Sequence, residues 1–387
     1  MPRRMVSARL PAPQIESLDA LAIASLVIWI YLVAAHGRFW LSRPELAPVS
    51  RVRGPRVDVV VPARDEAQSI GPVIASLLAQ DYGAGAPQSF AVTLVDDNST
   101  DGTAARAGRA PNLKIVHGAP KPPGWVGKMW ALEQGIAAGD APLILLTDAD
   151  ILHDPRHLST LVACLERSRL DMVSEMVHLN CSSLAERALV PAFVYFFQML
   201  YPFARVNDAR SSVAAAAGGT VLIRRAALER IGGIGAIKGA LIDDVSLAKA
   251  IKGRAGGGAI FLGHSALASS IRPYPAFADI WRMVARTAFT QLRRSAWLLL
   301  GTLAGLSLVW LAPLAAALLG RGWVRACGLA ASALAVVSYL PTLARYRRNF
   351  AWALALPLIA LFYMAATVGS AVDAWSGAGA RWKSRSY

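Results

Sequence analysis

Leu143-Ile-Leu-Leu-Thr-Asp-Ala-Asp150 decides the fold of this chain. Four apolar residues and a threonine leave no room for a helix, and two carboxylates then arrive one residue apart. A buried strand ending in Asp-x-Asp at the carboxyl edge of a sheet sets its acids in the crevice where open α/β proteins bind ligands. Asp148 and Asp150 share one face of an extended chain, because strand side chains repeat with period two. Two hard oxygen ligands on one face suit Mg²⁺ or Mn²⁺ carrying a diphosphate. A polar strand end or a helix cap is the competing reading of an isolated Asp-x-Asp.

The flanking sequence repeats the pattern. Val57-Asp-Val-Val-Val-Pro62 reads as a strand closed by Ala63-Arg-Asp-Glu66, and a helical period follows through Ile70, Val73, Ile74 and Leu77. Ala91-Val-Thr-Leu-Val95 is a second strand and ends in Asp96-Asp-Asn-Ser-Thr-Asp-Gly-Thr103; Leu113 to Val116 reads as a third. Strands alternating with helical patterns predict βαβ units and an α/β fold with a mainly parallel sheet. Three strands therefore end in acidic, loop-forming clusters, which packing alone does not explain.

Between these strands lies Gly124-Trp-Val-Gly-Lys128-Met-Trp-Ala-Leu132. Pro122, Pro123 and Gly127 mark a loop and Met129 onward a helix, so Lys128 sits near a helix N-terminus, a place suited to an anion. A solvated surface lysine is the alternative. Gly218-Gly-Thr220 permits close backbone approach to a ligand, or marks a plain turn. Further on, Ile242-Asp243-Asp244-Val opens a helix over Val245–Ile251. Adjacent carboxylates repel, so burial raises the pKa of one of them. That suits a general base working near neutral pH, and a capping role is compatible with it. His153 and His157 have the i, i+4 spacing of a zinc pair, but Pro155 between them interrupts a helical face and no third ligand is evident.

Composition places this domain beside a membrane. The 387 residues are 55% hydrophobic, with a mean hydropathy of +0.41. The net charge of +15 would fit nucleic acid, but the basic residues form no stripe with interleaved aromatics. They crowd beside apolar runs instead, as Arg38, Arg43, Arg51, Arg53 and Arg56 do, which reads as contact with anionic lipid and a cytoplasmic domain. Cys164, Cys181 and Cys327 form neither a metal spacing nor a disulfide framework, as in a reducing compartment.

The expected organisation is a disordered basic lead over 1–17, an uncleaved transmembrane helix over 18–36 and an α/β domain over 52–274. A basic amphipathic helix over 275–295, carrying Phe277, Ile280, Trp281 and Val284, reads as lying on the membrane surface. Apolar runs over 296–319, 326–344 and 350–372 make a C-terminal membrane region of about three helices, over 296–373, before a basic tail over 374–387. The loop Arg345-Tyr-Arg-Arg348 then faces the cytoplasm, while the tail falls on the opposite side against the positive-inside rule. The aromatic run Leu189–Phe203 is short for a span and is expected to lie in the headgroup region, with a buried core helix as the alternative.

Pro62-Ala-Arg-Asp-Glu66, Asp96-Asp-Asn-Ser-Thr-Asp101, Gly127-Lys-Met-Trp-Ala-Leu132, Asp148-Ala-Asp150 and Ile242-Asp-Asp244 occur in an order and spacing that resembles family 2 glycosyltransferases. The resemblance runs from Val57 to Arg294 and implies a GT-A fold that binds a nucleotide-sugar, most simply a UDP-sugar, and Mg²⁺ or Mn²⁺. Its finer pattern resembles the membrane-bound branch associated with hopanoid biosynthesis, which implies an inner-membrane enzyme with a lipid acceptor. Position by position, the resemblance places Pro62, Asp65, Glu66, Asp96 and Asp97 around uracil and ribose. The family usually has Asn where this chain has Asp65. Lys128 resembles the base or diphosphate contact, Asp148 the ribose- and metal-side carboxylate, and Asp150 the metal ligand. Asp244 resembles the catalytic base, with Asp243 beside it where the family usually has Glu. Gln291-Leu-Arg-Arg294-Ser295 resembles the Gln-x-x-Arg-Trp motif of processive synthases, with Arg294 placed for the diphosphate. Ser295 replaces the Trp that supports an acceptor sugar, which argues against polymer synthesis. A polyprenyl phosphate acceptor, or a silent lipid-binding scaffold, is the alternative.

Overall fold

A computed structural model of the chain describes residues 13–83, 89–253, 256–377, 381–382 and 385–386. Eight strands form one sheet: β1 (Val57–Ala63), β2 (Phe90–Asp96), β3 (Leu113–His117), β4 (Leu143–Thr147), β5 (Ile151–His153), β6 (Met172–His178), β7 (Thr220–Arg224) and β8 (Ile260–Ser270). Their order is β3-β2-β1-β4-β7-β6-β8-β5. The first four in that order run parallel, as do β6 and β8, while β7 is antiparallel to β4 and β6 and β5 to β8. β1 and β4 are buried along their whole length, as expected of strands covered on both faces. Val57, Val59, Val61, Leu143 and Leu145 pack into the core on one face, and Val60, Ile144 and Leu146 into the core on the other. Each such side chain contributes roughly 1.5–3 kcal/mol of burial. The register Ala63↔Asp96 and Val60↔Leu146 brings the acidic strand ends to one edge.

The second of these cores does not stop at the domain. It runs without a break from Val60 and Ile144 through the aromatic helix Leu184–Leu200 to Tyr339 and Leu356 of the C-terminal helices. This corrects the surface placement expected for the aromatic run. Its helix starts at a Ser183–Glu186 capping box and buries ten residues, Pro191 among them, between the sheet and the membrane helices. Tyr195 sits at the crossing, packed against Phe39 and Tyr339 at ring distances of 5.4 and 5.0 Å, with its hydroxyl 2.6 Å from Ser338 Oγ. Six aromatic side chains need partners, and two layers together supply more of them than a headgroup region would.

The expected surface helix is likewise docked. Phe277–Ala285 buries Ile280 and sets Trp281 against Phe362 and Gly369 of the last helix, leaving Arg282 outward. Among the described residues three helices are long and apolar enough to cross a membrane: Ala296–Leu319, Gly322–Arg345 and Phe350–Trp375. The middle one begins four residues earlier than its apolar run suggested and carries Pro341 within it. The N-terminal helix is described over Pro13–Ala34 and so reaches into the stretch expected as a disordered lead. Its apolar part, Leu18–Ala34, is shorter than the other three. It is held by Trp29, whose indole N–H donates to Val309 O at 2.8 Å. The rest of the expected lead, residues 1–12, and part of the basic tail lie outside the described residues. The three cysteines are free thiols.

Replacing Tyr195 by Ala is expected to cost about 3–5 kcal/mol of unfolding free energy, and Tyr195→Phe about 1 kcal/mol. Thermal unfolding in detergent checks both; an unshifted midpoint for Tyr195→Ala would remove the continuous core.

Candidate active site

Lys128 stands where the strand ends meet. The loop before it docks on the turn preceding Asp243 through Val126 N–H, which donates to Lys238 O at 2.7 Å. The helix Gly127–Ala137 then points Lys128 Nζ between two carboxylates, 2.8 Å from Asp148 Oδ1 and 2.9 Å from Asp243 Oδ2. Burial alone would depress this lysine, but Asp148 and Asp243 overcome it and hold Nζ above its usual range. Lys128 is thus a cross-brace between the strand end and the Asp243–Lys252 helix, rather than a solvated lysine.

Asp148 follows β4 directly and is pinned through its backbone N–H to Gly219 O at 3.2 Å. Burial raises its carboxyl; Lys128 opposes this, while the Asp150 and Asp243 carboxylates reinforce it. Asp150 is buried and held by Arg272, whose guanidinium also reaches Glu66 Oε1 at 2.6 Å. Arg272 has no motif around it. It follows β8 in sequence and meets Asp150 because β8 and β5 pair through Ser270↔Ile151, so only the pairing of distant strands could reveal it.

Asp243 and Asp244 open their helix, in the first turn where a carboxylate suits the helix dipole. Asp244 accepts from Val245 N–H at 2.7 Å. Burial first, then the neighbouring Asp243 carboxylate, pushes Asp244 up to about 7. Gly218 leaves room for it: a Cβ there would lie 3.2 Å from Asp244 Oδ2. Asp244, Asp243, Lys128, Asp148 and Pro62 line one recess of about 20 Å³, little more than a water needs.

The other expected site residues divide. Asp96 and Asp97 are buried at the end of β2, with Asp96 Oδ1 accepting from Ser99 N–H at 3.1 Å and Arg64 Nη1 3.7 Å from Asp97 Oδ2. Asp65 adopts φ +51°, a left-handed conformation that Asn and Asp both tolerate. Its carboxylate accepts from Thr100 N–H at 2.9 Å and so braces the Asp96–Thr103 loop. Arg294 is exposed, and among the described residues no side-chain bond joins it to these carboxylates. Gln291 of the same motif instead donates to Tyr201 Oη, and Tyr201 feels the Asp244 charge. Tyr201 and Gln291 are neighbours of the site that spacing could not assign.

His153 and His157 lie elsewhere, on β5 and at the start of the helix His157–Arg167. Their Nδ1 atoms are 3.0 Å apart, His153 Nε2 is 3.2 Å from Thr147 Oγ1, and His157 Nε2 is 2.6 Å from Glu175 Oε1. All four ring nitrogens are engaged in a buried network, which leaves none for zinc.

The residues at the strand end fit a divalent cation. Among the described residues Glu66, Asp148, Asp150, Asp243 and Asp244 gather around two cationic partners, Lys128 and Arg272, so negative charge is in excess. Among the described residues no three acidic, His or Cys side chains form a closed metal cage. That is how Mg²⁺ and Mn²⁺ sites are built, from one or two carboxylates completed by substrate phosphate oxygens.

Residues 55–296 match the family described as glycosyltransferase like family 2, and the chain belongs to that family. It is similar to a dodecaprenyl-phosphate galacturonate synthase of Rhizobium johnstonii, 31% identical over 127 residues, covering 32% of this chain and 36% of that one. It is also similar to an uncharacterised glycosyltransferase of Mycobacterium tuberculosis, 32% identical over 114 residues, covering 30% of this chain and 45% of the relative. The matched stretch thus spans less than half the length of either relative. Among solved structures, a mannosyltransferase from Pyrobaculum calidifontis in complex with GDP-Man and Mn²⁺ superposes with a TM-score of 0.56 at 22% identity, over 95% of this chain and all of that one. The fold is GT-A with appended apolar helices.

Arg272→Ala strands the Asp150 and Glu66 carboxylates and is expected to cost about 1–3 kcal/mol. Adding Asp150→Asn should return part of that loss, with a coupling of roughly 1 kcal/mol in a double-mutant cycle of unfolding free energies. Strict additivity would show that the two groups do not interact.

Proposed function

We propose that the chain is a metal-dependent, inverting glycosyltransferase that moves a sugar from a nucleotide-sugar to a hydroxyl of a lipid acceptor. The observation that carries this reading is Asp244: a half-buried carboxylate pushed up to about 7 on the wall of the recess. A base near pH 7 takes a proton from a hydroxyl at the lowest cost in driving force.

Asp148 and Asp150, with diphosphate oxygens, would hold the cation, which supplies neutralisation of the departing nucleoside diphosphate. The rest falls to the chain. Pro62, Glu66, Asp96 and Asp97 hold the nucleoside at the ends of β1 and β2. Donor binding draws Asp148 away from Lys128, and Lys128 turns its ammonium to the diphosphate, where leaving-group charge develops. Asp244 accepts the acceptor proton as the hydroxyl oxygen attacks the anomeric carbon opposite the leaving group, which inverts its configuration. Tyr201 and Gln291 border the base on the side of the aromatic helix, so an acceptor arriving from the membrane layer meets them first. A UDP-sugar donor, a hopanoid or other polyisoprenoid alcohol as acceptor, and an inner-membrane position with the domain in the cytoplasm complete the reading.

A second reading, transfer to a polyprenyl phosphate, is favoured by the name of the Rhizobium relative. A phosphate acceptor is already ionised and needs no base, so Asp244 separates the two. Asp244→Asn is expected to abolish transfer while leaving donor binding unchanged, and retained turnover would favour the phosphate acceptor.

The base must be ionised to act, so kcat/KM should fall as pH drops below about 7, the value to which Asp244 is raised. Stability moves the other way. The native chain keeps this proton up to about 7, whereas an ordinary carboxyl releases it at 3.8. Its contribution to stability is therefore full below 3.8 and lost as pH rises through about 7. Asp244→Asn escapes that loss, so the variant should unfold a few degrees above wild type at pH 8, with the gap closing toward acid. A variant less stable than wild type at pH 8 would contradict the raised pKa.

A further inference from the structure

On the side of the membrane helices that faces the domain lies a second cleft, of about 630 Å³. Three parts of the chain build it: Arg43 from the segment after the N-terminal helix, Ser265 and Ser269 from β8, and Arg345, Arg347 and Arg348 from the turn joining two apolar helices. It shares no lining residue with the recess at Asp148 and Asp244. Along β8, Ser269 precedes Arg272 by three residues, roughly 10 Å of strand.

The cleft has an excess of positive charge. Four guanidinium groups line it against one carboxylate, Glu45, and Glu45 is already paired with Arg345 Nη2 at 3.0 Å. Among the described residues no carboxylate pairs with Arg43, Arg347 or Arg348. Arg345 is held in place by Glu45 and by Ser42 O, to which Nη2 donates at 3.2 Å, while its buried Nε has no acceptor. The His178 ring, stacked on Tyr346 at 4.6 Å, is pushed down by burial and by the three arginines of the turn, a measure of how tightly their field converges. Such a field, with the Arg345 and Arg348 guanidinium groups held in place and two serine hydroxyls beside them, matches the oxygens of a phosphate.

The surroundings say where that phosphate comes from. Immediately after Arg348 the chain exposes Phe350 and Leu354, 55% and 74% accessible, at the start of an apolar helix. Arginines at one level and bare apolar side chains at the next form the profile of a headgroup region above acyl chains. We propose that this cleft binds the phosphate headgroup of an anionic bilayer lipid, as a docking site separate from the transfer site. The inference rests on membrane association of the apolar helices and not on the transfer reaction. A lipid held here clamps the turn between two apolar helices to β8, the strand that leads to Arg272.

The test uses the full chain in neutral detergent, titrated with phosphatidylglycerol, phosphatidylcholine or inorganic phosphate and read by its unfolding temperature. Wild type is expected to rise with phosphatidylglycerol alone. Arg347→Gln with Arg348→Gln should move the titration midpoint to about 30-fold more lipid, at roughly fivefold per basic residue. Arg321→Gln with Arg325→Gln makes the same charge change at the opposite end of the Gly322–Arg345 helix and should leave the midpoint in place. Should the double variant fold poorly, Arg43→Gln at the exposed rim gives a roughly fivefold shift. An unchanged midpoint in both cleft variants overturns the site. An equal shift in the Arg321 and Arg325 control reduces it to diffuse attraction, and a full response to inorganic phosphate removes the lipid.

Discussion

The structure depends on one half-buried ammonium. Lys128 Nζ lies within 3 Å of Asp148 and Asp243, carboxylates that lie far apart in the sequence and would otherwise repel. Removing one partner leaves the remaining charges without compensation; solvent at the half-exposed side chains keeps that cost below the roughly 3–5 kcal/mol of a fully buried pair. The same contact sets the electrostatics of the proposed base. With Lys128 on Asp243 rather than on Asp244, the second acid is left to burial and to its neighbour's charge, which is what raises it. The brace that closes the recess and the poise of the base thus have a common origin. Opening that recess for a diphosphate means exchanging one anion on Lys128 for another, a substitution that leaves the charge of the ammonium satisfied throughout.

The second constraint is the shared core. A catalytic domain tethered to membrane helices by a linker would swing; here Tyr195, Phe196 and Trp310 bind the layers into one packed unit. The recess therefore has a fixed attitude to the apolar helices. That arrangement suits a substrate presented from a membrane, since the aromatic helix that ends at Tyr201 bridges the two layers.

Much of this was legible in the sequence. The alternation of short apolar runs with helical periods marked β1 to β4 to within a residue or two, most plainly β1 and β4, where burial on both faces leaves an unbroken apolar signature. Asp148, Asp150, Asp243 and Asp244 stood out since acids at strand ends and helix starts have few packing reasons to be there. Lys128 was visible as a lysine at a helix start, but its partners were not, because Asp243 lies over a hundred residues away. Arg272 was missed for the same reason: a lone arginine after a strand has meaning only once β8 pairs with β5. The aromatic helix misled because period and composition report how apolar a face is, and not whether lipid or protein covers it. Asp65 shows a further limit. The motif marked the position, yet its carboxylate braces the neighbouring loop, a role that a left-handed Asn or Asp fills equally well.

The most direct test of the central claim is calorimetry of the detergent-purified full chain against a panel of nucleotide-sugars, with and without Mn²⁺. The account predicts that one donor binds, that binding requires the metal, and that Asp150→Ala loses it. Failure of every donor to bind in the presence of Mn²⁺ would contradict it and leave a lipid-binding scaffold in its place.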